Sequence, residues 1–194
     1  MPRTIVGAQT PRFIDRLAEA ASHCKIDEPR LVECAKRSSV DTVAVAAPGV
    51  CEPVARNALA AYADGAVATW SGEICESREA AIMINGMAAH ALDFDDVYLD
   101  SMAHASVTIV PAILGTGRDV ETGELVDAYA AGLLTARAVA ARIGQGHYRK
   151  GWHGTGTMGT FAAAAAASRI LKLDANRMRP VSYTHLTLPT KPSV

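Results

Sequence analysis

Aspartate and histidine side chains are concentrated in one stretch of the sequence, between residues 90 and 104. His90 and Asp93 are followed closely by Asp95 and Asp96, and His104 comes shortly after them. Imidazole gains and loses protons near neutral pH, and a carboxylate can orient an imidazole or relay its proton. Buried groups of these types need partners or a chemical task. The stretch therefore indicates acid/base catalysis, with a helix end carrying solvated acids and a structural histidine as the alternative.

An apolar segment precedes these groups and has to position them. Residues 80–92 are apolar almost all the way round a helix, which is typical of a buried helix. Ser77 is a suitable N-cap, so the helix is expected to begin near residue 78. At about 100° per residue, Gly86, His90 and Asp93 fall on one side of it. We predict that this is the most buried helix of the fold and that His90 hydrogen-bonds within it as a structural residue.

The rest of the sequence also reads as helices, and it predicts an all-α bundle of about seven or eight of them. The clearest periodicity begins at Leu125, in a segment that Thr122 should cap and Gly144 should end. Residues 66–76 are expected to be a loop or a short extended piece. Three other predicted helices lie in the first third of the sequence: one starts at Thr10–Pro11, one runs from Pro29 to about Ala46 before a turn at Pro48–Gly49, and one runs from Pro53 to a stop at Gly65. Later helices are predicted to start at Pro111, to run from about Thr157 to Leu171, and to follow Asp174 as N-cap.

Two separate motifs carry a resemblance to a known family. They are NGMAAHALDFDD at residues 85–96, followed shortly by a histidine, and GWHGTGTMGTFAAAAAASRILKLD at residues 151–174. Together they resemble the MmgE/PrpD family, the 2-methylcitrate dehydratases and cis-aconitate decarboxylases, over roughly residues 30–178. The resemblance implies the family's N-terminal helical domain at residues 1–178 and a lyase that dehydrates a 2-hydroxy tricarboxylate. It further implies neither cofactor nor metal, and a homodimer in the full-length protein. Decarboxylation and isomerisation are alternatives, since such members share these motifs.

The resemblance also implies roles for individual residues. Asp93 and His104 match the family's active-site acid and histidine, with His104 transferring the proton and Asp93 orienting it or relaying the proton. His153 and Lys150 are implied as substrate-binding groups, although a solvated surface loop is the alternative for the cationic run from 147 to 153. Val97 stands where the family commonly has threonine, which weakly favours a non-catalytic helical scaffold. A further lysine and histidine of the family's site would lie beyond residue 178.

Composition narrows the class of protein. The formal net charge of −1 does not indicate a protein that binds nucleic acid or an anionic membrane surface. No apolar run approaches the about 18 residues that a membrane helix needs. Four cysteines without a CxxC pair indicate neither a zinc site nor a disulfide framework. The first residues lack the apolar region of a signal peptide, so a cytoplasmic protein is expected.

Two segments invite other interpretations. GTGTMG at residues 154–159 fits the pattern GxGxxG, but a dinucleotide site would require a strand before it, within residues 144–153, and another after the helix. Residues 179–194, rich in proline and threonine and without helical periodicity, are expected to be a disordered tail outside the family's pattern. Within them VSYTHLTLPTK also resembles translated sequencing-adapter read-through.

Overall fold

Helices make up most of the structure, a computed structural model that describes residues 12–116 and 119–179. The all-α prediction is confirmed. A short helical stretch at residues 175–179 follows eight named helices, and the only two strands of the described residues form a small hairpin. In chain order the elements are α1 (Phe13–Ser22), α2 (Pro29–Gly49), α3 (Pro53–Ala61), β1 (Val67–Ala68), β2 (Ile74–Cys75), α4 (Arg78–His90), α5 (Ser106–Leu114), α6 (Thr122–Ile143), α7 (Gly146–Arg149) and α8 (Gly154–Ile170).

The core lies where α5, α6 and α8 pack together. The contact between α6 and α8 is the most extensive in the fold, and α4 packs between α2 and α5. Small residues allow this close packing: a Cβ added at Gly132 of α6 would lie 3.0 Å from the carbonyl oxygen of Ala162 in α8. The apolar side chains buried in this core include Ile109, Ile113, Val126, Tyr129, Met158, Phe161 and Ile170.

The prediction that α4 is the most buried helix is wrong, because α5 is buried more completely. Seven of the nine residues of α5 are buried, against six of the thirteen in α4. Helix α5 packs against α8, α4, α6 and α2, whereas Met83 and Met87 of α4 remain partly exposed. The start of α4 was predicted correctly, since the Ser77 hydroxyl accepts a hydrogen bond from the Ala80 amide.

Two glycines expected to stop helices serve close packing instead. Helix α2 continues through Pro48 to Gly49, where a Cβ would lie only 1.9 Å from the carbonyl oxygen of Ala88 in α4. Helix α3 ends well before Gly65, and a Cβ on that residue would lie 2.1 Å from the Cys75 carbonyl oxygen. Tertiary packing therefore overrides the local turn signal at both positions.

Helix α5 begins earlier than the sequence indicates. Pro111 was expected in its first turn, but the helix starts at Ser106 and Pro111 lies inside it. Proline has no N–H to donate to the carbonyl four residues before it. That carbonyl, of Val107, faces Gly86 of α4, where a Cβ would lie 3.1 Å from its oxygen. The close contact between α4 and α5 therefore lies at the carbonyl that Pro111 leaves without its usual intrahelical hydrogen bond.

The remaining boundaries agree closely with the sequence. The expected short extended piece is the antiparallel hairpin of β1 and β2. Helix α6 ends at Gly144 as predicted, but its N-cap is Glu121 rather than Thr122. Helix α8 begins at Gly154, earlier than predicted. Asp174 accepts a hydrogen bond from the Arg177 amide, as an N-cap does.

The predicted start at Thr10–Pro11 and the predicted tail, apart from residue 179, lie outside the described residues. Helix α1 begins at Phe13 in the part that the structure describes. Each helix in the described ranges is too short or too polar to cross a membrane.

Candidate acid/base site

Two turns return the chain to the C-terminal end of α4. After His90 ends the helix, Asp93 adopts a positive φ of 56°, which aspartate tolerates better than most residues. Tyr98 and Ala103 then pair as in a hairpin, with the Tyr98 amide 2.7 Å from the Ala103 carbonyl oxygen. This pairing brings His104 back to the acids that precede it in the sequence.

Four side chains meet there and are named the His–Asp cluster: His90, Asp93, Asp95 and His104. Nδ1 of His90 lies 2.9 Å from Oδ2 and 3.2 Å from Oδ1 of Asp95. Nδ1 of His104 lies 3.0 Å from Oδ2 of the same carboxylate, while its Nε2 lies 3.5 Å from Oδ1 of Asp93. The two imidazole rings are 4.7 Å apart between centroids. One imidazole, His104, therefore lies between two carboxylates.

Burial differs sharply within the His–Asp cluster. The Asp95 side chain is 1% exposed and that of His104 is 16% exposed, whereas that of Asp93 is 80% exposed. Burial acts to raise the pKa of Asp95, but hydrogen bonds and nearby positive charge, those of His90 foremost, together lower that pKa. The same hydrogen bond between Asp95 and His90 raises the pKa of His90 against the opposing effect of burial. The cluster thus has an ionised acid inside and an accessible acid outside.

The start of α8 adds His153 to this group. The backbone amide of His104 donates to the hydroxyl of Thr155 at 2.9 Å, which ties the returning loop to α8. His153 is the N-cap of α8, and its Nδ1 accepts from the Gly156 amide at 3.3 Å. Its ring centroid lies 6.2 Å from that of His90. Asp93, His104 and His153 therefore lie at one place in the fold, on a face open to solvent through Asp93 and His153.

The cationic loop before His153 is held by its own contacts. Nε2 of His147 lies 2.9 Å from the hydroxyl of Thr157, and its ring stacks on Trp152 with centroids 6.0 Å apart. Lys150 is exposed, and its side chain makes no hydrogen bond or ion pair within the described ranges. The structure thus brings His153 to the cluster but does not connect Lys150 to it. Residues 144–153 contain the helical turn α7 and no strand, which removes the structural context required by the dinucleotide interpretation.

Comparison with known families identifies the domain. The model of the MmgE/PrpD N-terminal domain matches residues 15–182. The chain belongs to the MmgE/PrpD family. The match begins earlier than the expected residue 30 and continues slightly past residue 178. A search of curated proteins gave no significant match.

In this MmgE/PrpD domain, two further acids contribute contacts that the sequence reading did not assign. Asp95 contacts both histidines of the cluster, whereas Asp96 accepts from the Ser106 amide and from its hydroxyl at 2.6 Å. The Ser106 hydroxyl also lies 2.7 Å from that of Tyr129. Phe94 is exposed while its neighbour Asp95 is buried. An exposed phenylalanine beside a buried aspartate is the opposite of the usual pattern, so residue type alone could not identify Asp95 as the buried acid.

The His–Asp cluster of the MmgE/PrpD domain also has the donor atoms of a possible cation site. One nitrogen or oxygen from each of the four residues lies within 4.8 Å of the others. Imidazole nitrogen and carboxylate oxygen are ligands that Zn²⁺ accepts. The imidazole nitrogens already lie at hydrogen-bond distance from Asp95, so direct histidine–carboxylate contacts account for the arrangement. The absence of a metal from the chemistry stays a prediction, tested below by chelation.

Proposed function

We propose that this domain supplies acid/base groups to a lyase that dehydrates a 2-hydroxy tricarboxylate such as 2-methylcitrate. In that reaction a base removes a proton from the carbon beside a carboxylate, the C–O bond breaks, and the protonated hydroxyl leaves as water. The observation that carries the proposal is the position of His104 between a buried and an exposed carboxylate. The family membership of the chain supports a lyase-type activity.

His104 is assigned the proton-transfer role and Asp93 the role of orienting it or relaying its proton. The contact between His104 Nε2 and Asp93 Oδ1 measures 3.5 Å, which is loose for a hydrogen bond, but such contacts commonly tighten when substrate binds. Asp93 is largely exposed and the His104 side chain is 16% exposed, so substrate is proposed to approach this nitrogen from the side of Asp93. Histidine suits the task because its ordinary pKa lies near neutral pH.

A tricarboxylate also requires groups that hold its negative charge. His153 accepts a hydrogen bond at Nδ1, so in its neutral form the proton is on Nε2, which can donate to a carboxylate. It stands at the N-terminus of the 17-residue helix α8, where the helix dipole favours an anion. The raised pKa of His90, caused first by its hydrogen bond to Asp95, favours a further positive charge nearby. Lys150 is proposed as an additional substrate-binding group from the same loop.

Turnover by two histidine variants tests the proposal. His104→Ala, made in the longest natural coding sequence that contains this domain, is expected to lower turnover of 2-methylcitrate by about 10² or more, the usual scale for losing a general acid or base. His23→Ala is the matched control, because His23, the C-cap of α1, is 74% exposed and contacts Glu19. Near-normal turnover by His104→Ala on every tricarboxylate tested would remove His104 from the mechanism.

The choice of substrates separates the related activities. Water loss from 2-methylcitrate without CO₂ release supports the dehydratase assignment, whereas CO₂ release from cis-aconitate identifies a decarboxylase. Interconversion of isomers without either change identifies an isomerase. A natural protein that folds, yet neither turns over nor binds any of these tricarboxylates, would support a non-catalytic helical scaffold instead.

A further inference from the structure

The deepest group of the His–Asp cluster is Asp95, and its surroundings differ from those of the two neighbouring acids. Its side chain is 1% exposed, against 80% for Asp93, and Asp96 is bonded to Ser106 instead of a histidine. A buried carboxylate is costly unless other groups hydrogen-bond to it. The partners of Asp95 are the two imidazoles of the cluster, so its interactions bear directly on the proton positions of those rings.

An ionised carboxylate can only accept hydrogen bonds. Burial opposes ionisation of Asp95, but the hydrogen bond and charge of His90, a backbone hydrogen bond and the charge of His104 together lower its pKa, so acceptance is its role here. The Nδ1 atoms of His90 and His104 lie 2.9 Å and 3.0 Å from the same oxygen. Nδ1 of His104 is buried without the alignment of a full hydrogen bond, and this oxygen is the acceptor beside it. Each ring can donate a hydrogen bond to the carboxylate only if it carries a proton on Nδ1.

We infer that Asp95 is a positioning residue that fixes the Nδ1–H tautomer of His104 and leaves its Nε2 unprotonated on the side of Asp93. The inference rests on the proposed function, since it specifies how His104 is prepared to accept a proton. A hydrogen bond at one imidazole nitrogen decides which form the other takes. Asp95 is too deeply buried to contact substrate, so its effect is transmitted through the ring.

Nitrogen-resolved NMR of the histidine rings tests the inference without any turnover. In the ¹⁵N-histidine-labelled chain at mildly alkaline pH, where an ordinary imidazole is neutral, His104 is expected to be protonated at Nδ1 and unprotonated at Nε2. Asp95→Asn should shift the proton toward Nε2, because the amide no longer requires a donor at Nδ1. Asp96→Asn is the matched control: it removes a neighbouring acid that bonds Ser106, and it should leave the His104 pattern unchanged. The His104 signals are assigned from their loss in His104→Gln.

Kinetics of the same variants give the second readout. Asp95→Asn is expected to lower kcat by about 10²–10⁴, as loss of the tautomer-fixing carboxylate does elsewhere, with KM changed much less. Asp96→Asn should change kcat far less than Asp95→Asn does. A wild-type His104 protonated at Nε2 overturns the inference even if Asp95→Asn fails to fold. An unchanged ring pattern in folded Asp95→Asn also overturns it.

The two proposals fail in different ways. If His104→Ala abolishes turnover while Asp95→Asn retains the wild-type kcat, the inference is wrong and the proposed function stands. If His104→Ala retains full turnover, the proposed function is wrong, and the NMR result alone decides whether Asp95 fixes the tautomer.

Discussion

The contact between the start of α8 and the loop before His104 should be sensitive to a single methyl group. A Cβ added at Gly154 would lie 2.6 Å from the carbonyl oxygen of Ser101 and 2.9 Å from that of Met102. Both are backbone atoms, and Met102 already has a positive φ of 50°, which side chains rarely adopt. The loop therefore cannot give way without moving the segment that leads into His104.

The expected cost of Gly154→Ala follows from this overlap. Overpacking of this kind typically costs about 1–3 kcal/mol, and about 2 kcal/mol corresponds to a fall in Tm of about 4–8 °C in a domain of this size. Gly156→Ala is the matched control in the same helical turn, because its Cβ would meet only the His153 ring nitrogen, at 3.9 Å. Alanine in a helix gains up to about 1 kcal/mol over glycine, so the control should melt at the wild-type temperature or slightly above it.

Thermal unfolding followed by circular dichroism measures both variants, and histidine NMR shows whether the site moves. Gly154→Ala should melt below wild type and shift the ring signals of His104, whereas Gly156→Ala should leave them in place. If the two variants have the same Tm and neither changes the His104 signals, the loop does not pack tightly against α8 at Gly154.

Three further predictions concern charge and cations. The Tm difference between wild type and Asp95→Asn should be largest between the ordinary pKa values of 3.8 and 6.5. The raised pKa of His90 contributes stability that is lost as the pH rises through that pKa. The lowered pKa of Asp95 contributes stability that is lost as the pH falls through the pKa of Asp95. A Tm difference that does not vary with pH would contradict this. Asp127→Ala should cost about 2 kcal/mol, since its carboxylate bonds Arg169 at 3.0 Å in a partly buried site. Glu33→Ala, in an exposed ion pair, should cost less than about 1 kcal/mol. Equal losses of stability in Asp127→Ala and Glu33→Ala would show that burial does not strengthen the first ion pair. A chelator should leave the Tm of the purified protein unchanged, and a clear fall would reveal a bound cation.

Most of the longer helices were predictable because their apolar spacing and their terminal residues are visible in the local sequence. The spacing of its apolar residues placed helix α6, and Gly144, whose φ is +60°, placed its C-terminal end correctly. The errors cluster where tertiary contacts outweigh local preference. Gly49 and Gly65 look like turn residues, yet each is required by a backbone lying against it. Such a contact depends on an element distant in the chain, so composition and periodicity do not reveal it.

Some residues of the candidate site could likewise be predicted from the sequence, and others could not. Asp93, His104 and His153 were named from motifs, and the structure places them together, whereas their chemical roles remain predictions. Lys150 was named from its charge, and no contact in the described residues ties it to the cluster. Asp95 was visible in the sequence, but its place between two rings depends on an irregular turn after α4. Irregular backbone has no period from which burial can be read.

The position of His104 is set mainly by groups without any chemical role of their own. The Thr155 hydroxyl holds its backbone amide, the Tyr98–Ala103 pair returns the chain to α4, and Gly154 allows the loop to lie against α8. Each acts on the backbone, so each places the imidazole without touching it. Loss of any one of them should therefore move the ring relative to both carboxylates at once. A proton-transfer group needs its partner within hydrogen-bond reach, so in this domain packing residues and catalytic candidates are expected to be equally intolerant of change.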